Sequence, residues 1–230
     1  MPIEMVVFDM AGTTVWDGDN AVARCVRDAI AAAGVAVELA DVDPVMGMPK
    51  PLAIRTLLAD KRGEAPTDEE VGRVHADFQS RAIEHYTTSP DVRAMDDAAA
   101  VFAALRARGI LVTLDTGFDR AILDAIVERL GWSELLDDTV ASDEVENGRP
   151  APDLIHALME RAGIADASVI AKIGDSVSDI EQGINTGCGL VGAVLCDRTR
   201  DAVERHPGVQ GVASLTEFQK LVESHDEVAV

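Results

Sequence analysis

Short apolar runs alternate with segments of helical periodicity along most of this chain, and that alternation restricts the fold more than any other feature. Runs with strand character fall at residues 3–8, 110–114, 139–141, 169–173 and 190–195. Helix-period segments separate the last four. One starts at Asp119, a predicted N-cap, and passes through Ile122, Ile126 and Leu130 to Gly131. A second follows Pro152 through Leu154, Ile155, Leu158 and Met159 to Gly163, and a third follows Ser178 to about Gly187. Such alternation predicts an α/β fold, a doubly wound and mainly parallel sheet covered on both faces. Ligands then bind beyond the carboxyl ends of the strands. Asp9, Asp115, Thr116 and Asp175 fall at such ends and become spatial neighbours, although Asp115 is also free to face solvent.

Between residues 15 and 89 the alternation stops. The pattern there predicts helices at about 20–33, 51–58 and 68–86, and Thr67 with Glu70 three residues on forms a capping box for the last. A further helix at 96–108 leads into the second strand. The expected organisation is a core of residues 1–14 and 90–230 with an all-helical insert, residues 15–89, placed directly after the first strand. The acidic tail beyond Glu223 is expected to fray.

Apolar residues make up 47% of the chain, enough for a full core, but aromatics are only 3%, so the core is built from Val, Leu, Ile and Ala. With 41 acidic residues against 20 basic, the net charge of −21 argues against nucleic-acid or anionic-membrane partners, which require Lys and Arg clusters. No apolar run reaches membrane-spanning length, and the first residues read as a strand carrying Glu4 rather than a signal peptide. Cys25, Cys188 and Cys196 lack metal-ligand spacing and read as reduced thiols of a cytoplasmic protein. The histidines form no metal-binding pattern. A homodimer is compatible with the chain.

The segment Met5-Val6-Val7-Phe8-Asp9-Met10-Ala11-Gly12-Thr13-Thr14 carries the strongest chemical signal. An apolar strand delivers a carboxylate to a turn rich in backbone donors and hydroxyls. That layout suits an Asp that attacks phosphorus with help from a bound cation, although a strand-end Asp can also simply cap the following turn. Mg²⁺ prefers oxygen ligands, and Asp9, a backbone carbonyl near Ala11, and Asp175 are the expected set. Gly12 and Thr13 are placed to hold phosphoryl oxygens. Thr116-Gly117 offers a hydroxyl and free amides at a strand-to-helix turn, a ready anion site. Arg149, between Gly148 and Pro150, is fixed by its loop and suited to neutralise Asp9 and an incoming phosphoryl group. Asp175 and Asp179 bracket the turn Gly174-Asp175-Ser176-Val177-Ser178-Asp179, with Asp175 aimed at the cation and Asp179 orienting the loop.

These four motifs, in this order, resemble those of the haloacid dehalogenase superfamily, in which the first Asp becomes transiently phosphorylated. Three departures from the usual pattern narrow the resemblance. Ala11 stands where a second Asp normally serves as general acid, Arg149 stands where Lys is usual, and Met46-Gly47-Met48-Pro49-Lys50 lies in the helical insert. Together they resemble the phosphonatase-like branch. The resemblance implies that Lys50 forms a Schiff base with a substrate carbonyl, with Met48 beside it against the substrate. The C–P bond then breaks toward an enamine, so no acid is needed at position 11. Such a lysine must react as the free amine, with its pKa lowered from about 10.4. Met10 and Phe118 stand where that branch usually has Trp and Tyr. Val15-Trp16-Asp17-Gly18-Asp19-Asn20 lacks a Cys, and Pro51-Leu52-Ala53 lacks a His. These positions shape the substrate pocket. The rival readings are a phosphomonoester phosphatase without the usual acid and a non-catalytic phosphate sensor. The intact Asp9 argues against the sensor.

Overall fold

The computed structural model describes residues 1–17 and 19–228, so Gly18 of the Val15–Asn20 segment and the last two residues of the tail lie outside the described residues. The elements in chain order are β1 (Met5–Phe8), α1 (Ala21–Ala32), α2 (Leu39–Val42), α3 (Lys50–Arg62), α4 (Asp68–Thr88), α5 (Ala98–Ala107), β2 (Leu111–Thr116), α6 (Arg120–Leu130), β3 (Asp138–Ala141), α7 (Asp153–Ala162), β4 (Ile170–Gly174), α8 (Val177–Thr186), β5 (Leu190–Val194), α9 (Arg200–Arg205), β6 (Val209–Val212) and α10 (Leu215–Val228). The strands form one parallel sheet in the order β3-β2-β1-β4-β5-β6, the doubly wound order expected of a Rossmann-like fold. Strand β1 sits at the centre, with Phe8 opposite Leu114 of β2 and Ile173 of β4. The order reverses at β1, and the crevice at that switch point is where such sheets bind ligands.

The strands are buried on both faces, so β1 splits its side chains with period two. Val6 and Phe8 join the larger core with Phe102 of α5 and Ile122 of α6, while Met5 and Val7 pack against Leu154, Ile155 and Leu158 of α7. The few aromatics are concentrated: Phe8, Phe102 and Trp132 stack edge to face with centroids 5.1 and 5.3 Å apart. Thr67 caps α4, its hydroxyl accepting the Glu70 amide at 3.2 Å. Helix α1 starts where Asp17 Oδ1 accepts the Ala21 amide at 2.8 Å.

Several expectations are corrected. The sheet has a sixth strand, Val209–Val212, in which only the two valines are buried. The last helix runs from Leu215 to Val228, so the chain just beyond Glu223 is helical, and the side chains that anchor this helix in the core, Leu215, Phe218 and Val222, all precede that point. Asp119 is the N-cap residue of α6, as expected, and its carbonyl accepts from the Ile122 and Leu123 amides, but its side chain makes no capping hydrogen bond. Its carboxylate instead accepts from Gln79 Nε2 at 2.5 Å and lies 2.8 Å from His75 Nε2, both on α4. Helix α8 begins before Ser178, capped by Ser176, whose hydroxyl accepts the Asp179 amide at 3.3 Å. Among the described residues, no helix is long and apolar enough to cross a membrane.

Candidate active site

Three strand ends converge on the crevice. Asp9 follows β1, Asp115 and Thr116 close β2, and Asp175 follows β4. Asp9, Ala11, Thr116, Gly117 and Asp175 line one enclosed chamber, together with Met46, Gly47 and Lys50 from the helical segment between β1 and α5. The chamber holds only about 20 Å³, room for one water-sized body. Met48 stands just outside, on a neighbouring cleft of about 500 Å³ that it shares with Met46 and Ser176.

Behind the chamber lies a buried charge network. Arg149 places Nη2 2.7 Å from Asp9 and 3.2 Å from Asp115, and Nη1 2.6 Å from Asp179. Lys172, in the middle of β4, reaches Asp115 at 2.5 Å and Asp179 at 3.0 Å. Each of these side chains is almost wholly buried, a state ions tolerate only when paired. Asp115 is thus not a solvent-facing residue. It ties Arg149 and Lys172 together. Asp179 is held through Arg149, Lys172 and the Ser176 hydroxyl, the last at 2.5 Å. Burial opposes its charge, but Arg149 and Lys172 keep its carboxyl below the ordinary range.

Asp9 and Asp175 stand differently. Burial, reinforced by the charges of Asp179 and Asp175 and opposed by Arg149, pushes Asp9 up to about 7. Burial, offset by Arg198 and increased by Asp179, pushes Asp175 up to about 6. Both carboxylates that face the chamber are short of positive charge, and a divalent cation would supply it. The donors fit a hard cation: two carboxylates around one chamber, with the backbone of the loop after β1 beside them. That loop presses directly on Asp175. At Gly12, where φ is +90°, a Cβ would fall 2.3 Å from Asp175 Oδ2. Carboxylate oxygens of Asp9, Asp115 and Asp179 also lie within 4.8 Å of one another, a spacing that could hold a metal ion. Arg149 and Lys172 already bridge those three, which leaves the chamber between Asp9 and Asp175 as the better-suited place. The Thr13 hydroxyl, on the loop after β1, is buried without a hydrogen-bond partner, although Thr13 does not itself line the chamber.

Lys50 opens α3 with its side chain buried, 3% exposed, so its amine faces protein rather than water. Nζ donates to the Met48 carbonyl at 3.2 Å and lies 5.3 Å from the centroid of the Phe118 ring. Burial and then the charge of Arg149 lower its pKa to about 8, against the opposing pull of Asp9, Asp119 and Asp17. Phe118 is in turn packed by Phe78 and Tyr86 of α4, with centroids 6.5 and 5.7 Å away. The loop that carries Thr116 is therefore gripped by the helical segment. Gly117 is the tightest point, since a Cβ there would meet the Met48 and Gly47 carbonyls at 2.7 and 2.8 Å. Backbone oxygens cannot rotate aside as a side chain would. Gly117→Ala is expected to hold Lys50 away from Asp9 and lower kcat/KM on the order of 10²-fold while the core stays folded. Steady-state kinetics with far-UV circular dichroism checks it.

The structure brings together Asp9, Ala11, Gly12, Thr116, Gly117, Arg149, Asp175, Asp179 and Lys50, with Met48 at the rim, while Thr13 lies on the same loop as Gly12 but does not line the chamber. Sequence reasoning did not assign Lys172, Arg198 or the pairing of Asp115. A signal existed for Lys172: a lysine between Ala171 and Ile173 inside an apolar run must find a buried counter-charge. Arg198 follows a strand in a polar loop and gave none.

Comparison with known proteins agrees with this geometry. The profile of the haloacid dehalogenase-like hydrolases matches residues 3–187. A phosphonoacetaldehyde hydrolase of Bordetella pertussis is 32% identical over 203 residues, 84% of this chain and 73% of that one. Among solved structures, a phosphonoacetaldehyde hydrolase-like protein from Oleispira antarctica superposes with a TM-score of 0.82 at 20% identity, covering 99% of this chain and 94% of that one. A hydrolase from Pseudomonas syringae gives a TM-score of 0.80 at 19% identity, covering 92% and 93% of the two chains. The chain belongs to the haloacid dehalogenase-like hydrolases and, within them, to the phosphonatase-like branch. It is a hydrolase.

Proposed function

We propose that this enzyme cleaves the C–P bond of a small 2-oxoalkylphosphonate, with residues 15–89 acting as a mobile cap over the core. One observation carries the reading. A buried lysine amine shares a chamber with the nucleophile candidate Asp9, and the residue two positions after that Asp is Ala11. A phosphate ester needs a proton for its leaving oxygen, and alanine has none to give. A carbon leaving group needs an electron sink, and an amine that forms an imine provides one.

The steps follow from this chain's own groups. With the cap open, substrate enters and its phosphonate settles against Arg149, the Thr116 hydroxyl and the turn at Gly12 and Thr13. The Lys50 amine adds to the carbonyl carbon, and loss of water leaves an iminium. Asp9 then attacks phosphorus. As its O–P bond forms, the C–P bond breaks and the electron pair passes into the iminium, giving a neutral enamine. Water cleaves the aspartyl phosphate to inorganic phosphate and restores Asp9. Protonation of the enamine carbon, then hydrolysis of the imine, releases the carbonyl product and the free amine. Mg²⁺ held by Asp9, Asp175 and the carbonyl near Ala11 would supply charge neutralisation at phosphorus. Arg149 would balance the phosphoryl charge, itself kept charged against burial by Asp115, Asp179 and Asp9.

Borohydride reduction during exposure to candidate oxo-phosphonates tests the reading. Mass mapping is expected to find a stable adduct on Lys50. Rapid phosphate release from such a substrate with no adduct on any lysine would refute the imine route. Efficient hydrolysis of simple phosphomonoesters instead would favour the phosphatase reading.

A further inference from the structure

Arg198 has no part in the steps above, yet it contacts Asp175, one of the two carboxylates that line the chamber. It lies in the loop after β5, and its Nη2 meets Asp175 Oδ2. Its Nη1 stands 3.9 Å from Asp43 Oδ1, in the short turn before α3, and its Nε is buried without a partner. Arg198 does not line the small chamber. It lines the adjoining cleft of about 500 Å³, beside Met46, Met48 and Ser176. The guanidinium therefore approaches Asp175 from outside and leaves the chamber side of that carboxylate open. Arg149 and Lys172 sit behind Asp9, Asp115 and Asp179. Arg198 is the basic side chain that the structure pairs with Asp175.

We propose that Arg198 is a charge-balancing residue: it weakens divalent-cation binding between Asp9 and Asp175 and strengthens binding of the phosphoryl dianion to the cation-loaded site. The inference rests on the proposed metal position. Leaving aside Asp43, which is more than half exposed and screened by solvent, and with Lys50 as the free amine, four carboxylates, Asp9, Asp115, Asp175 and Asp179, face three cations, Arg149, Lys172 and Arg198. A divalent cation then turns a site of one net negative charge into one of net positive charge, attractive to a dianion. Without Arg198 the same site attracts the cation more strongly and ends neutral, with less pull on the anion. A unit charge one carboxylate away from the metal is close enough for such effects to be large even at an effective dielectric near that of a protein surface.

The two affinities must move in opposite directions, and that separates charge balance from a merely structural role. Calorimetric titration of Mg²⁺, and of inorganic phosphate into the Mg²⁺-saturated protein, would be compared for wild type, Arg198→Gln, Arg198→Met and Arg198→Lys. The neutral variants are expected to bind Mg²⁺ about tenfold more tightly and phosphate about tenfold more weakly, while Arg198→Lys stays near wild type. Two neutral variants are used so that one folding failure does not remove the test, with circular dichroism as the check. Weakening of both ligands would mean that Arg198 only holds Asp175 in place, and no change in either would mean that its charge is irrelevant; both results overturn the inference. Asp175→Asn serves as the reference for the metal position. If it leaves Mg²⁺ binding unchanged, or if wild type takes up none, the metal reading itself fails and the inference with it.

Discussion

Asp9→Asn is expected to remove turnover on every phosphonate or phosphate substrate, lowering kcat/KM by roughly 10⁴-fold or more, because no other group can form the covalent phosphoryl intermediate. Asparagine keeps the size of the side chain and lies against the same Arg149. It loses the nucleophilic oxygen and the charge. The variant is also expected to fold at least as stably as wild type when both are free of metal. The sign follows from the pKa. Burial and the neighbouring carboxylates push Asp9 up to about 7, whereas an unfolded Asp titrates near 3.9. The folded chain thus binds this proton more tightly, and ionisation of Asp9 weighs against folding as pH rises from about 4 through 7. A neutral amide avoids that penalty at pH 7. A phosphate-release assay and a melting curve check the two halves. Substantial retained turnover would end the aspartyl-phosphate reading, and a sharp fall in Tm would show that Asp9 is mainly a structural counter-ion for Arg149.

The strands inside the sheet were the most legible in the sequence, although the edge strand β3 was also read, at 139–141. Strands β1, β2, β4 and β5 lie inside the sheet and read as continuous apolar runs, so period and length both identified them. Strand β6 is an edge. Gln210 and Gly211 face outward, and only Val209 and Val212 carry the signal, too little to distinguish from a loop. The last helix was masked by its charge. Its acidic residues suggest a solvated tail, but Leu215, Phe218 and Val222 recur at helical spacing and bury one face. Asp119 illustrates a different limit. As a local signal it is a good N-cap, yet two side chains from α4 recruit its carboxylate, and local propensity cannot anticipate a partner 40 residues away.

The site divides along the same line. Asp9, Thr116, Arg149, Asp175 and Lys50 were legible because each occupies a motif in a fixed order, and the parallel sheet turns that order into adjacency. What held them was less visible. Asp115 and Lys172 sit on adjacent-but-one strands, separated by 57 residues, and meet across β1 to support Arg149. Their pairing is a product of register, which sequence patterns leave open. Arg198 is still harder to anticipate, since a loop arginine in a chain this acidic has many carboxylates to choose from.

Lys50→Arg is the other substitution with a large expected effect. Arginine fills similar space and keeps the positive charge, but its guanidinium stays protonated and cannot add to a carbonyl. Cleavage of an oxo-phosphonate is expected to fall by roughly 10³-fold or more, and the borohydride adduct is expected to vanish. Any slow hydrolysis of simple phosphomonoesters, which needs Asp9 but no imine, should survive, and so should Mg²⁺ binding. The wild-type pH profile provides an independent measure of the same amine. Burial and Arg149 bring Lys50 down to about 8, so the reactive free-amine fraction grows about tenfold per pH unit below that value and levels off above it. The rate of borohydride trapping at saturating carbonyl substrate should follow that curve. An unperturbed lysine would keep climbing to about 10.4. A trapping rate that is flat from pH 6 to 9, or an Arg variant that still cleaves the phosphonate, would reduce Lys50 to a buried structural cation and leave the electron sink for the C–P bond to be found elsewhere.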